Sequence, residues 1–184
     1  MMSKLLRIAL ACLFLIQVSA CISVEDGATA IPAEVRFSPH GGCTECIVKE
    51  LDEAHESILI QAYSFTSEPI AKAVASASKR GVACKAILDS SQKSGKYSVT
   101  DFLVNSGIET WIDSAHAIAH NKVIIIDDRT VISGSFNFTK AAEESNAENL
   151  LVLRSVQLAK LYKANWLAHK EHSTPCNARQ QMPR

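Results

Sequence analysis

The sequence predicts an α/β fold: a mixed, mostly parallel sheet flanked by helices, in an α/β/α sandwich. Three observations carry the prediction. Apolar, strand-like runs alternate with amphipathic runs of helical period. The run SILIQAYSFT is apolar almost throughout, as in a strand covered on both faces. Further on, KVIIID and TVISGS are β-branched runs joined through Asp128 and Arg129, which reads as a tight hairpin.

The elements follow in order. AEVRFSP (33–39) predicts a strand. CTECIVKELDEAHE (43–56) places Ile47, Leu51 and Ala54 at helical spacing. SILIQAYSFT (57–66) is the doubly covered strand, with Tyr63 and Phe65 read as core. SEPIAKAVASASKRG (67–81) opens with a Ser cap and a Pro and closes on Lys-Arg-Gly, which is helix punctuation. VACKAILD (82–89) is a strand, and SSQKSGKYS (90–98) a polar loop. VTDFLVNSG (99–107) is a short helix and ETWID (109–113) a short strand. After the hairpin come the strand ENLLVL (148–153) and a closing helix (155–172), with Leu158, Leu161, Trp166 and Leu167 near one face.

The organisation is one domain over 33–172, with 173–184 read as a loose tail. Residues 1–20 read as a secretory signal: Lys4 and Arg7, an apolar run from Ile8 to Ile16, then small residues. That run is too short for a membrane-spanning helix. VSAC points to ordinary cleavage after Ala20 or to a lipoprotein signal with Cys21 lipidated, ahead of an uncleaved anchor. Either way the expected location is the periplasm or the exterior, with the outer membrane as anchor in the lipidated case. The whole chain has 19 basic and 19 acidic residues, and loss of Lys4 and Arg7 leaves the mature chain mildly acidic. A global basic field is therefore excluded, and nucleic-acid binding would rest on a local patch.

Export permits disulfides. Cys43 or Cys46 is expected to pair, with Cys176 as a partner, while Cys84 reads as a buried small hydrophobe. The alternative is a zinc site drawing on His169, His172 and Cys176.

The chemistry concentrates in HNKVIIIDDRTVISGSFN, residues 120–137. His120 and Lys122 are two apart on a strand, so they share a face. The hairpin returns Gly134, Ser135 and Asn137 to the same end. An imidazole, an ammonium, a hydroxyl and an amide then converge, a set suited to binding and attacking a phosphate. Gly134 would let the backbone approach closely.

The pattern His-x-Lys-x4-Asp-x6-Gly-Ser-x-Asn resembles the signature of the phospholipase D superfamily. Six fixed positions at about 5 % usage each give chance odds on the order of 10⁻⁸ per window. QAYSFTS, DSSQKSGKYS, GSFNFTKAAEESNAENLLVL and the Trp-containing closing helix extend the resemblance, over roughly 33–170, to small exported bacterial endonucleases of that superfamily. The resemblance implies His120 as a nucleophile forming a phosphohistidine. It implies Lys122 and Asn137 as phosphate ligands, with Ser135 beside them. Glu148 would hydrogen-bond the histidine, and Asp127 is the motif Asp, open between the site and support of the hairpin. Lys93 and Lys96 would contact flanking phosphates or stand as solvated charges, and His116 would touch substrate or be a loop histidine without a role.

A single motif in the chain implies a homodimer that pairs two copies of His120. No metal or other cofactor is expected, because no carboxylate cluster resembles a two-metal nuclease site. The expected substrate is nucleic acid, DNA or RNA. A phosphatidylcholine-type lipid is the alternative, and a catalytically inactive envelope-binding lipoprotein is a third reading.

Overall fold

A computed structural model describes residues 30–93 and 99–176. The expected sandwich is present, built on an eight-stranded sheet of order β1-β7-β6-β5-β2-β3-β4-β8. In chain order the elements are β1 (Ala33–Ser38), α1 (Cys43–Asp52), β2 (Ser57–Ala62), α2 (Glu68–Lys79), β3 (Ala83–Asp89), α3 (Val99–Asn105) and β4 (Glu109–Asp113). Then follow β5 (Lys122–Ile126), β6 (Thr130–Gly134), α4 (Lys140–Glu144), β7 (Glu148–Arg154), α5 (Val156–His172) and β8 (Thr174–Pro175).

The sheet is mixed, but its pairing is not mostly parallel. Parallel neighbours are confined to β2–β3 and β3–β4; the other pairs are antiparallel. The reason lies in the connections. Helical crossovers α2 and α3 join the parallel strands, while a short turn joins β5 to β6. That turn centres on Asp127 and Asp128, both at positive φ (50° and 52°), rather than on Asp128 and Arg129. Two consecutive left-handed residues match the right-handed twist of a hairpin, and Asp tolerates that region.

Each sheet face carries its own core. One face packs Ile58, Ile60, Ala86, Leu88, Ile124 and Ile132 against Ile47 and Leu51 of α1 and Ile70 and Val74 of α2. The other packs Leu59, Ile87, Trp111, Val123, Ile125 and Val131 against Ala159 and Trp166 of α5. Strand residues alternate between the two cores, which is why β2 and β5 are apolar almost throughout. The inward stripe of α5 is Leu158, Ala159, Tyr162 and Trp166, and the expected members Leu161 and Leu167 stand exposed. Trp166 fixes the helix twice. Its Nε1 donates to the Ile60 carbonyl at 2.8 Å, and its ring meets Trp111 edge-on.

Two further expectations are corrected. The tail is not loose at its start. Thr174 and Pro175 pair with Ile112 and Trp111, and Cys176 N–H donates to the Thr110 carbonyl. Nor is a disulfide formed among the described residues, where Cys43, Cys46, Cys84 and Cys176 are free thiols. Topology explains this. Cys43 and Cys46 share α1, which packs by β1, whereas Cys176 follows β8 at the opposite edge of the sheet. Cys84 is buried as expected, and burial raises its thiol pKa to about 11.

Candidate active site

The hairpin register brings the opening of β5 beside the end of β6. Ile126 faces Thr130 and Ile124 faces Ile132, so Lys122 falls level with Gly134. β7 adds the next row, with Leu150 opposite Gly134. Glu148 and Asn149 therefore enter at the same end of the sheet as Lys122.

Local packing explains how GSFNF presents its polar members. Phe136 and Phe138 are fully buried, while Ser135 and Asn137, which alternate with them, are only half-buried. Phe138 bridges Phe65 and meets its ring edge-on, while Thr66 and Ser67 N–H groups donate to the Phe138 carbonyl. The two phenylalanines thus anchor a loop whose alternate side chains remain available. Asn137 Oδ1 is buried without a partner among the described residues; it is an acceptor, so only the Nδ2–H2 side of this amide can donate to a phosphate oxygen. Ser135 Oγ accepts from both Asn149 N–H (3.0 Å) and Asn149 Nδ2 (3.3 Å). Gly134 is at φ 147°, and a Cβ there would lie 2.3 Å from the Asn149 carbonyl oxygen. The glycine allows a close approach of β6 to β7.

Lys122 is buried, and its Nζ donates to the His120 carbonyl at 3.0 Å. Burial lowers its pKa, and the Glu148 carboxylate opposes that shift. His120 is exposed, and its ring lies 4.7 Å from that of Tyr63. Lys122 Nζ lies 5.1 Å from the same Tyr63 ring. Tyr63 is therefore a site residue rather than core, whereas Phe65 is core as expected. Glu148 departs from expectation. Among the described residues it accepts from Asn146 Nδ2 and acts on the Lys122 charge, and it does not hydrogen-bond His120.

Asp127 lies outside the site. It follows β5 at the far end of that strand, five residues beyond Lys122, roughly 17 Å at about 3.3 Å per strand residue. There its carboxylate accepts from the backbone N–H groups of His55 (3.0 Å), Glu56 (2.8 Å) and Ser57 (2.9 Å). It clamps the entry to β2. Burial pushes its pKa up, but these three bonds outweigh that and leave it lowered.

Lys93 is exposed in a 3₁₀ turn after β3, and its charge acts on the Cys176 thiol. Lys96 lies outside the described residues. His116 joins Asp113, His169 and His172 in a cluster at the end of β4. Asp89 was not singled out in the sequence, yet it holds the loop that carries His120. Its Oδ2 accepts from Ala119 N–H at 2.7 Å, and Oδ1 from Ser91 N–H. Burial raises its pKa, but hydrogen bonds from Ser91, Ala119 and Ser90 win and hold the carboxyl low. The Asp-x29-Ala spacing carries no signal that sequence reading could have used.

A groove of about 1190 Å³ lies elsewhere, between α1, α2 and α4. Its lining includes Glu45, Asp52, Glu53, Glu68, Glu143 and Glu144 against only Lys49 and Lys140. That charge would repel a phosphodiester, whereas the His120 end offers the Lys122 ammonium.

Comparison with known proteins gives the family and the fold. Residues 47–169 match the family model described as "Cardiolipin synthase, PLD-like domain". A protein named phospholipase D from Rickettsia typhi is 46 % identical over 73 % of this chain, and the match spans 66 % of that relative's own length. The crystal structure of the phospholipase D family member Nuc from Salmonella typhimurium superposes with a TM-score of 0.77 and 38 % identity. That match covers 80 % of this chain and 99 % of Nuc. NucT from Helicobacter pylori gives a TM-score of 0.74 at 25 % identity, covering 80 % of this chain and all of NucT (100 %).

Proposed function

The chain belongs to the phospholipase D superfamily and is one of its phosphodiesterases, and from that premise we propose an exported, non-specific endonuclease acting on DNA or RNA. The observation that carries the nucleic-acid reading is the extent of the Nuc match. The match spans 99 % of Nuc's length, against 66 % of the length of the relative named phospholipase D.

In this reading an imidazole nitrogen of His120 attacks phosphorus. A nitrogen–phosphorus bond forms as the bond to the leaving oxygen breaks. Lys122 and Asn137 hold the non-bridging oxygens, and the low-dielectric surroundings of the buried Lys122 leave its attraction for the phosphate less screened than in water. Ser135 and Asn149 brace each other beside them. The proton for the leaving oxygen comes from a second His120, supplied by another copy of the chain. Water then cleaves the phosphohistidine. The donors on hand offset the phosphate charge, so the step needs no cation.

The homodimer is part of the proposal. β1 is an edge strand, and Val35 (49 %) and Phe37 (67 %) stand exposed on it. The register sets Phe37 opposite Asn149 and Ser38 opposite Glu148, so this apolar edge adjoins the site. Export through the 1–20 signal, with or without lipidation of Cys21, is likewise proposed.

A second reading is hydrolysis of phosphatidyl lipids. The relatives named phospholipase D favour it, and so does Ile118, an exposed apolar residue two positions before His120. The test is cleavage of plasmid DNA and of RNA in EDTA, beside phosphatidylcholine vesicles, with His120→Ala in parallel. Nucleic-acid cleavage lost in the variant is the expected result. Release of headgroup with intact plasmid and RNA would replace the nuclease by the lipase.

A further inference from the structure

We propose that Asp113, His116, His169 and His172 form a binding site for a divalent transition-metal ion of the zinc class, separate from the phosphodiester site. The donors come as two i,i+3 pairs, one at the end of β4 and one in the last turn of α5. Their ligand atoms all lie within 4.8 Å of one another. Three imidazoles with one carboxylate make a zinc-type donor set.

The distances favour an ion over a plain hydrogen-bond cluster. Three imidazole nitrogens converge on a single oxygen, Asp113 Oδ2: His116 Nδ1 at 3.1 Å, His169 Nδ1 at 2.8 Å and His172 Nε2 at 3.3 Å. A carboxylate oxygen has about two lone pairs, so three N–H donors oversubscribe it. A tetrahedral ion with bonds near 2.05 Å needs neighbouring donors about 3.3 Å apart. The three separations from Asp113 Oδ2 sit near that edge length, and the whole set of ligand atoms, within 4.8 Å of one another, needs only small side-chain shifts to reach it. The rings also face one another, with centroids 4.8 to 5.2 Å apart. Asp113 is fully buried, whereas His116 and His172 are 46 % and 37 % exposed, which leaves a path for the ion.

The position gives the ion a structural role. It would tie α5 to β4 and to the start of the loop that ends at His120. β4 is three strands from β5, roughly 14 Å along the sheet. The ion would therefore not touch the phosphate. Cys176 is not among the ligands, unlike in the zinc alternative raised by the sequence.

Cobalt substitution of the purified protein tests the proposal. One equivalent of Co²⁺ is expected to give tetrahedral d–d absorption without thiolate charge-transfer bands, and Zn²⁺ to displace it. Zn²⁺ should raise Tm and EDTA reverse the rise. His172→Ala and His116→Ala, each checked for folding by circular dichroism, should weaken binding more than about a hundredfold. That exceeds the ten- to hundredfold cost of losing an outer-shell partner. Cys176→Ser should bind as before. Absence of stoichiometric binding, thiolate bands, or unchanged affinity in both histidine variants would overturn the site. Hydrolysis in EDTA by the same preparations separates this outcome from failure of the nuclease reading.

Discussion

The ring of Tyr63 packs 4.7 Å from that of His120, tilted by 52°, and lies 5.1 Å from the Lys122 ammonium. One aromatic face thus orients the proposed nucleophile and sits beside the proposed phosphate ligand. The ring, not the phenol oxygen, makes both contacts. Tyr63→Phe should keep kcat within about twofold. Tyr63→Ala should lower it roughly tenfold, since contacts of this kind are worth about 1 kcal/mol. Steady-state kinetics on one substrate compare the two. Equal losses in both variants would show that the hydroxyl carries the effect instead.

Asp127 should matter to stability and not to chemistry. Asp127→Ala leaves three N–H groups of residues 55–57 without their charged acceptor, a loss of about 2 kcal/mol. Thermal melts should show the loss while kcat at a temperature well below Tm stays unchanged. The pH dependence follows from the lowered folded pKa. An unfolded Asp titrates near 3.9, so the stabilisation is complete above about pH 4 and is lost as pH falls. Asp89, also held low, adds in the same direction. Tm of the wild type should therefore drop below about pH 4, and Asp127→Ala should drop less steeply.

The pattern 120–137 was legible because its chemistry is local. A short turn suffices to return Ser135 and Asn137 to the end at which Lys122 opens β5, whereas His120 lies on the loop before the strand and shares no strand face with Lys122. Asp127 shows where such reading stops. It lies as close in sequence to His120 as the true neighbours do, but strand length carries it to the opposite edge. Tyr63 was read as core because its run is apolar, and only the β2–β5 register shows that it reaches the site. Asp89 and Asp113 act through contacts with residues 30 and 56 positions away, which no local pattern marks. The helix α4 was missed because five residues hold little periodicity.

The proposed dimer can be broken at its edge strand. Phe37→Asp puts a charge on an exposed apolar position beside Glu148 and Asn149 in the register. Light scattering should show dimer for the wild type and monomer for the variant. Hydrolysis should fall by roughly a hundredfold or more, the contribution of a positioned general acid. A fully active monomer would remove the second His120 from the mechanism and require an acid within one chain.

Gly134 offers the sharpest test of site geometry. Its φ of 147° disfavours any side chain, and a Cβ would stand 2.3 Å from the Asn149 carbonyl oxygen. That oxygen belongs to backbone which already accepts from Ser135 and Phe136 N–H, so it cannot turn aside alone. Gly134→Ala must push β6 from β7, at a cost of about 1–3 kcal/mol. The displacement separates Ser135 from Asn149 and shifts Asn137, while Lys122 stays on β5 and His120 on the loop before it. The expected result is a folded protein with lowered Tm, and a kcat/KM at least about tenfold below wild type. A variant that is less stable yet as active as wild type would show that the Ser135–Asn149 contact supports the sheet only and does not position the phosphate.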